Sequence, residues 1–190
     1  MSVHVVVLAY PGVDEVDLFG GYVPLVKANL PVLIAAADEE VRGANGALLR
    51  RHQSLRAVPG ATVLLVPGGH GVHAAGEDPR YVAAVSEAYR RGAHLYAVCS
   101  GAFLLAAAGL TSGHVLATHA SKQARLAELG RCEVVDGLVR SGRIRSIGGR
   151  RGHGLKAVEL AFQILRDWCP AAVDEVSARL EYQPEVMADG

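Results

Sequence analysis

The sequence lacks the features that mark secreted, membrane-spanning and nucleic-acid-binding proteins. Its 190 residues carry no formal net charge, since 19 Lys and Arg balance 19 Asp and Glu, and no segment is basic enough to predict binding to nucleic acid. No apolar run is long enough to cross a bilayer, and no cationic segment precedes the first apolar run. These absences argue against a signal peptide and against a membrane partner.

Cysteine is also scarce, with Cys99, Cys132 and Cys169 spaced far apart and no CxxC pair among them. An odd number of widely spaced cysteines predicts neither a disulfide framework nor a zinc site. We therefore expect a cytoplasmic protein that uses no metal and no cofactor. Cys132 and Cys169 are predicted to pack in the interior.

What the sequence does contain is an alternation of apolar strands with helices. Because 51% of the residues are hydrophobic, the chain is predicted to be one globular domain over residues 1–190. The predicted strands are Val3–Ala9, Val32–Ala37, Ala61–Val66, Ala93–Val98, Cys132–Val135 and a hairpin over Leu138–Ile147. The predicted helices are Asp14–Ala28, Pro79–Arg91, Ala102–Ala108, Ser121–Leu129, Leu155–Leu165 and Ala171–Leu180.

This alternation predicts an α/β fold, a doubly wound and mostly parallel sheet sandwiched by helices. Val41–Leu55 is more polar, contains the turn signal Asn45-Gly46, and is predicted to leave the main sheet. Gly113–His119 is predicted to be a loop. In such folds the functional site lies beyond the carboxyl ends of the parallel strands.

Cys99 lies at the junction between a predicted strand and a predicted helix. The small residues Ala97 and Gly101 leave room for a sharp turn, which is the arrangement of a nucleophile elbow. At the start of a helix, exposed N–H groups and the helix dipole favour a thiolate. The alternative is a packed cysteine that happens to end a strand.

Two other segments follow predicted strands and so are expected at the same sheet edge. The backbone N–H groups of Gly69 and His70, in the loop Gly68–Gly71, could form an oxyanion hole together with the N–H of Ser100. Asp17 adjoins apolar residues, so its carboxyl is expected to have a raised pKa and to transfer protons beside Cys99. The alternatives are a tight turn for the glycines and a solvated helix-start acid for Asp17.

No histidine is adjacent to Cys99 in the sequence, although a cysteine nucleophile commonly uses a histidine base. His119, which follows the elbow helix, is the first candidate to test. His70, His73 and His153 are further candidates, and a structural or surface role is open for each of them.

Taken together, these motifs resemble the ThiJ/PfpI superfamily, which has the class I glutamine amidotransferase-like (flavodoxin-like) fold. The resemblance covers nearly the whole chain and is strongest to isonitrile hydratases and to the sensor domains of AraC-type regulators. The motifs that carry it are Tyr10-Pro11-Gly12-Val13, Val16-Asp17-Leu18, Val66-Pro67-Gly68-Gly69, Val98 to Ala106, Gly109-Leu110, Gly113, Ala117-Thr118-His119 and Gly142-Arg143-Ile144.

The resemblance implies that Cys99 is the nucleophile and Asp17 the proton-transfer residue. Ser100 stands where those hydratases carry Thr, and it is assigned to the catalytic group. The family's usual Thr-Ser-Ala-Gly strand end is replaced here by Arg145–Gly149, from which we assign Ile147, together with His119, to the substrate pocket.

The function implied is an isonitrile hydratase-like activity, in which a small isonitrile gains water and becomes an N-substituted formamide. The resemblance also implies a homodimer. One alternative is a non-catalytic or redox-responsive sensor with the same fold, and another is a glyoxalase or deglycase activity.

Overall fold

A mostly parallel β-sheet flanked by helices forms the centre of the structure, a computed structural model that describes residues 3–50, 53–150 and 155–185. The strands are β1 (Val5–Leu8), β2 (Val32–Ala36), β3 (Glu40–Arg42), β4 (Leu48–Arg50), β5 (Gln53–Ser54), β6 (Val63–Val66), β7 (His94–Val98), β8 (Val115–Leu116), β9 (Glu133–Val134), β10 (Gly137–Ser141) and β11 (Ile144–Gly148). Among the described residues the main sheet has the order β10-β11-β7-β6-β1-β2-β5. In this sheet β10 is antiparallel to β11, and all the other strand pairs are parallel. The predicted α/β fold class is confirmed.

Helices connect these strands. They are α1 (Glu15–Lys27), α2 (Val72–Glu77), α3 (Pro79–Arg90), α4 (Ala102–Ala107), α5 (Gln123–Gly130), α6 (Lys156–Trp168) and α7 (Val173–Leu180). Short 3-10 turns occur at Leu55–Gly60, Cys99–Gly101, Ala120–Lys122 and Pro170–Ala172. Within the described part of the chain, no helix combines the length and apolar character needed to cross a membrane.

The central strands are buried on both faces, which explains their continuous apolar sequences. All four residues of β1 and all four of β6 are fully buried. Burying one such Val or Leu side chain contributes about 1.5–3 kcal/mol. The sheet centre is therefore a rigid base for the loops that follow these strands.

The regions away from the central strands differ from the predictions in two places. The polar excursion does form a separate hairpin of β3 and β4, but the chain then returns and β5 pairs with β2 at the sheet edge. Gly113–His119, predicted as a loop, contains β8, which pairs with β9. A two-residue strand is too short for alternation to show in the sequence.

Helix α2 is absent from the sequence-based assignment. It has only six residues, includes Gly76, and begins directly after the glycine-rich loop. Neither its length nor its composition provides a helical period. The strand predicted from Ala61 starts two residues later, at Val63, and a 3-10 turn precedes it at Leu55–Gly60.

Candidate active site

Three loops meet at the carboxyl edge of the sheet, as the order of the motifs predicts. Strand β6 pairs with β1 on one side and β7 on the other. The segments after these strands are Tyr10–Asp14, Pro67–Gly71 and the turn at Cys99. The loops also bond to one another, since the Tyr10 hydroxyl donates to the Pro67 carbonyl at 2.6 Å and the Asp14 N–H donates to the Gly68 carbonyl at 2.9 Å.

Cys99 occupies a sharp turn between β7 and α4. Its φ of +53° lies in the left-handed region, which costs a residue other than glycine about 1–3 kcal/mol. Gly101 permits the turn, since a methyl group there would lie 2.2 Å from the carbonyl oxygen of Val66. The buried Thr118 hydroxyl donates to the Cys99 carbonyl at 2.8 Å. The strained turn is thus held by contacts from two other segments.

Gly68 separates Asp17 from Cys99. Its N–H donates to Asp17 Oδ2 at 3.1 Å. A methyl group at Gly68 would lie 2.7 Å from that oxygen and 3.0 Å from Cys99 Cβ. The carboxylate and the cysteine therefore flank the same glycine, and only a residue without a side chain fits between them.

The glycine that contacts Asp17 is Gly68, whereas Gly69, which the sequence suggested as an oxyanion donor, contacts Ser100. The N–H of Gly69 instead donates to Ser100 Oγ at 3.0 Å, while the Ser100 hydroxyl donates to the Gly69 carbonyl at 3.1 Å. Gly69 has a φ of +142°, a conformation that favours glycine, and a methyl group there would lie 2.3 Å from the carbonyl oxygen of Gly12. The Gly69 N–H is thus already bonded, and the buried Ser100 hydroxyl ties the glycine loop to the elbow.

Burial gives Asp17 an unusual acidity. It raises the pKa of the carboxyl from 3.8 to about 6, and the nearby charge of Asp14 acts in the same direction. The hydrogen bond from Gly68 opposes this shift without cancelling it. At pH 7 the Asp17 carboxylate is therefore mostly ionised yet close enough to its pKa to accept and return a proton.

The Cys99 thiol has a raised pKa, contrary to the expectation that its position favours the thiolate. Burial is the main cause, and the charge of Asp17 adds to it. The Ser100 N–H and the Lys122 charge favour the thiolate but do not outweigh these effects. The resting site accordingly holds its proton on sulphur and its negative charge on Asp17.

An open cleft of about 420 Å³ lies over these groups. Its lining residues are Asp14, Val16, Asp17, Gly69, His70, Cys99, Ser100, His119, Ser121 and Lys122. Its volume falls in the range of small-molecule sites. The cleft thus brings together the sequence-predicted residues that follow strands β1, β6 and β7.

The remaining predicted residues take different positions. His70 and His119 line the cleft, and His119 Nδ1 accepts a hydrogen bond from the Ser121 N–H at 3.2 Å. Ile147 does not line the cleft; it is buried in β11 beside Val98. His73 packs edge-on against Phe103, and His153 lies outside the described residues.

Sequence reasoning missed the contributions of Thr118 and Lys122. Thr118 was noticed as part of a motif, but its bond to the Cys99 carbonyl depends on a contact between distant segments. Lys122 is placed at the cleft by the 3-10 turn Ala120–Lys122, which has no clear sequence signal. In the described part of the chain, no group of three or more His, Cys, Asp or Glu residues is placed to bind a metal ion.

The fold and site define an α/β protein with a cysteine at a nucleophile elbow and an acid beside it. The DJ-1/PfpI family model matches residues 3–163, and the chain belongs to this family. The isonitrile hydratase of Pseudomonas putida is 30% identical to this chain over an alignment of 191 residues, gaps included. The alignment covers 97% of this chain and 80% of the relative.

Solved structures confirm the fold. The crystal structure of Drosophila melanogaster DJ-1beta is similar with a TM-score of 0.85 at 24% identity, covering 96% of this chain and all of that one. A ThiJ/PfpI family protein from Pseudomonas syringae has a TM-score of 0.85 at 23% identity, covering all of this chain and 78% of that one.

Proposed function

We propose that the protein is a cysteine-dependent hydratase of isonitriles. The observation that carries the proposal is the pairing of Asp17 and Cys99 across Gly68. An isonitrile needs a nucleophile and a proton at the same terminal carbon, so its hydration requires an acid–base group directly beside the nucleophile. The 30% sequence identity to the isonitrile hydratase of Pseudomonas putida supports the proposal of this reaction.

The first step adds the thiol across the isonitrile carbon. Cys99 Sγ forms a bond to that carbon while its proton passes to the Asp17 carboxylate. Asp17 then delivers the proton to the same carbon, which yields a thioimidate, R–N=CH–S–Cys99. The Asp17 pKa of about 6 suits both halves of this transfer.

The second step adds water to the thioimidate carbon. Asp17 takes a proton from the attacking water, and the imine nitrogen gains that proton. The carbon–sulphur bond then breaks, the formamide R–NH–CHO leaves, and the hydroxyl proton returns to Cys99 through Asp17. The sum is isonitrile plus water giving formamide, with both residues restored.

Ser100 acts by positioning in this scheme. Its N–H favours negative charge on Cys99 sulphur as the thiol ionises. Its hydroxyl bonds both backbone groups of Gly69 and so keeps the glycine loop against the elbow. This replaces the role of the Gly69 N–H as an oxyanion donor that the sequence suggested.

The redox-responsive alternative needs a thiol that ionises readily, because the thiolate is the species that peroxide oxidises. Burial and Asp17 raise the pKa of Cys99, which favours proton-coupled addition over ready oxidation. Intact-mass measurement after mild peroxide separates the two, since oxidation at Cys99 without isonitrile turnover would favour the sensor. Consumption of methylglyoxal tests the glyoxalase alternative.

The direct test incubates purified protein with aliphatic and aromatic isonitriles and measures formamide by mass spectrometry. We expect formamide from the wild type and none from Cys99→Ser. The serine hydroxyl is a much weaker acid than the thiol, but its similar size should preserve the turn. The absence of turnover across the panel would contradict the proposal. We also propose that the protein is cytoplasmic and forms a homodimer. Light scattering of the purified protein measures its oligomeric state.

A further inference from the structure

The charges along the cleft are unevenly distributed. Asp14 and Asp17 come from the start of α1, whereas Lys122 comes from the turn that leads into α5. Asp14 is already occupied as the helix cap, since its Oδ1 accepts from the N–H groups of Val16 and Asp17 at 2.9 and 3.1 Å. The acidic part of the lining is thus committed to capping and to proton transfer.

Lys122 has no such commitment. It is half-buried, and no carboxylate of the described residues lies within ion-pair distance of its ammonium group. Its charge nevertheless reaches the reacting sulphur, because it favours the Cys99 thiolate. A partly desolvated lysine beside a reactive thiol is suited to bind a negative charge brought by a ligand.

Neighbouring groups make this part of the lining a set of donors. His119 Nδ1 accepts from the Ser121 N–H at 3.2 Å, which in a neutral ring leaves the proton on Nε2 as a donor. The His119 Nε2–H group and the Lys122 ammonium group can therefore both donate to an anion.

We propose that the substrate carries a carboxylate or a similar anionic group, which Lys122 binds while the isonitrile carbon lies between Cys99 and Asp17. This inference rests on the proposed function for the reacting end of the substrate. Repulsion by Asp14 and Asp17 keeps the anionic end away from α1, so the two signs of charge fix the orientation. Lys122 is thus a specificity-determining residue.

The test compares Cys99 alkylation by iodoacetate with alkylation by iodoacetamide, which differ mainly in charge. The ratio of the two rates cancels changes in thiol reactivity, so it reports on anion binding alone. We expect Lys122→Met to lower this ratio about three- to fivefold, the size of a half-exposed ion pair. Lys122→Arg should retain the ratio of the wild type.

Lys27→Met is the matched control, since it removes the same charge at the far end of α1. It should leave the ratio unchanged. An equal ratio in wild type and Lys122→Met would overturn the inference, as would an equal fall in Lys27→Met.

A second measurement uses 4-isocyanobutanoate and its methyl ester as substrates. We expect the wild type to prefer the acid and Lys122→Met to lose that preference, mainly through KM. If neither compound is hydrated, the proposed function fails, and the alkylation ratio still decides whether Lys122 recognises anions.

Discussion

Asp17 in the cleft and Asp167 at the end of α6 are both shielded from solvent, yet their surroundings differ. Asp167 Oδ2 lies 2.7 Å from Arg145 Nε and accepts the Tyr96 hydroxyl at 2.5 Å. Its other oxygen accepts from Gln163 at 2.9 Å. This carboxylate is paired with a cation and bonded at both oxygens, where α6 packs on β7 and β11.

Asp17 has far less support. Its hydrogen bond comes from the Gly68 N–H, and the neighbouring charge is the like charge of Asp14. A carboxylate with so little compensation binds a proton more readily. The comparison shows how one fold uses two acids: Asp167 joins elements of the structure, whereas Asp17 can accept and return a proton beside Cys99.

Removing the proton-transfer acid is expected to have the largest effect. Asp17→Asn keeps the shape of the side chain but cannot carry the proton, so isonitrile turnover should fall about 100- to 10,000-fold. Asp174→Asn is the control, because Asp174 is an exposed acid in the first turn of α7 and does not line the cleft. Turnover by Asp17→Asn at the wild-type rate would remove Asp17 from the mechanism.

The same substitution should change stability in opposite directions at the two acids. The pKa of Asp17 is about 6 in the folded protein, compared with its ordinary value of 3.8. As pH rises from about 4 to about 6, ionisation of Asp17 therefore lowers the free energy of unfolding. Asp17→Asn should therefore raise the free energy of unfolding at pH 8 by up to about 3 kcal/mol, and by little at pH 4.

Asp167→Asn should instead lower the free energy of unfolding by about 3–5 kcal/mol, because it leaves Arg145 buried without its ion partner. Urea unfolding at the two pH values measures both variants. Changes of the same sign at pH 8 would show that the two acids do not differ as described.

Gly68→Ala tests the spacing between Asp17 and Cys99. The added methyl group would press on both, at 2.7 Å from Asp17 Oδ2 and 3.0 Å from Cys99 Cβ. A displacement of that kind should reduce turnover about 100-fold. Gly60→Ala is the control, since nothing lies within 4 Å of its added methyl group, and turnover equal in both variants would refute the spacing argument.

Thr118→Val should have the smallest effect on turnover, about tenfold, because it removes only the hydrogen bond that holds the Cys99 carbonyl. Thr111→Val removes a similar buried bond, to the Gly130 carbonyl at 2.8 Å, away from the cleft. Both should cost about 1–3 kcal/mol in urea unfolding. A matching loss of turnover in Thr111→Val would reduce Thr118 to a stability role.

Much of this site was predictable because strand order brings its loops together. The all-apolar β7 and the helix formers after Gly101 located the turn at Cys99. Asp17 was found because it follows the first strand and adjoins apolar residues. These inferences need only local composition and the topology of a parallel sheet.

The rest depends on conformations and distances that a sequence does not show. Which of two adjacent glycines donates to Asp17 depends on the backbone path of the loop: the Gly68 N–H donates to Asp17, whereas the Gly69 N–H donates to Ser100. The direction of the Cys99 pKa depends on burial, which outweighed the expected helix effect. Lys122 reaches the cleft through a 3-10 turn with no sequence pattern.

The central claim is that Asp17 and Cys99 interact through charge across Gly68. The rate of Cys99 labelling by iodoacetamide against pH, in wild type and in Asp17→Asn, tests it most directly. The nearby carboxylate disfavours the thiolate, so we expect the midpoint of labelling to move to lower pH in Asp17→Asn even as turnover falls. A midpoint that stays at the wild-type value would contradict the account.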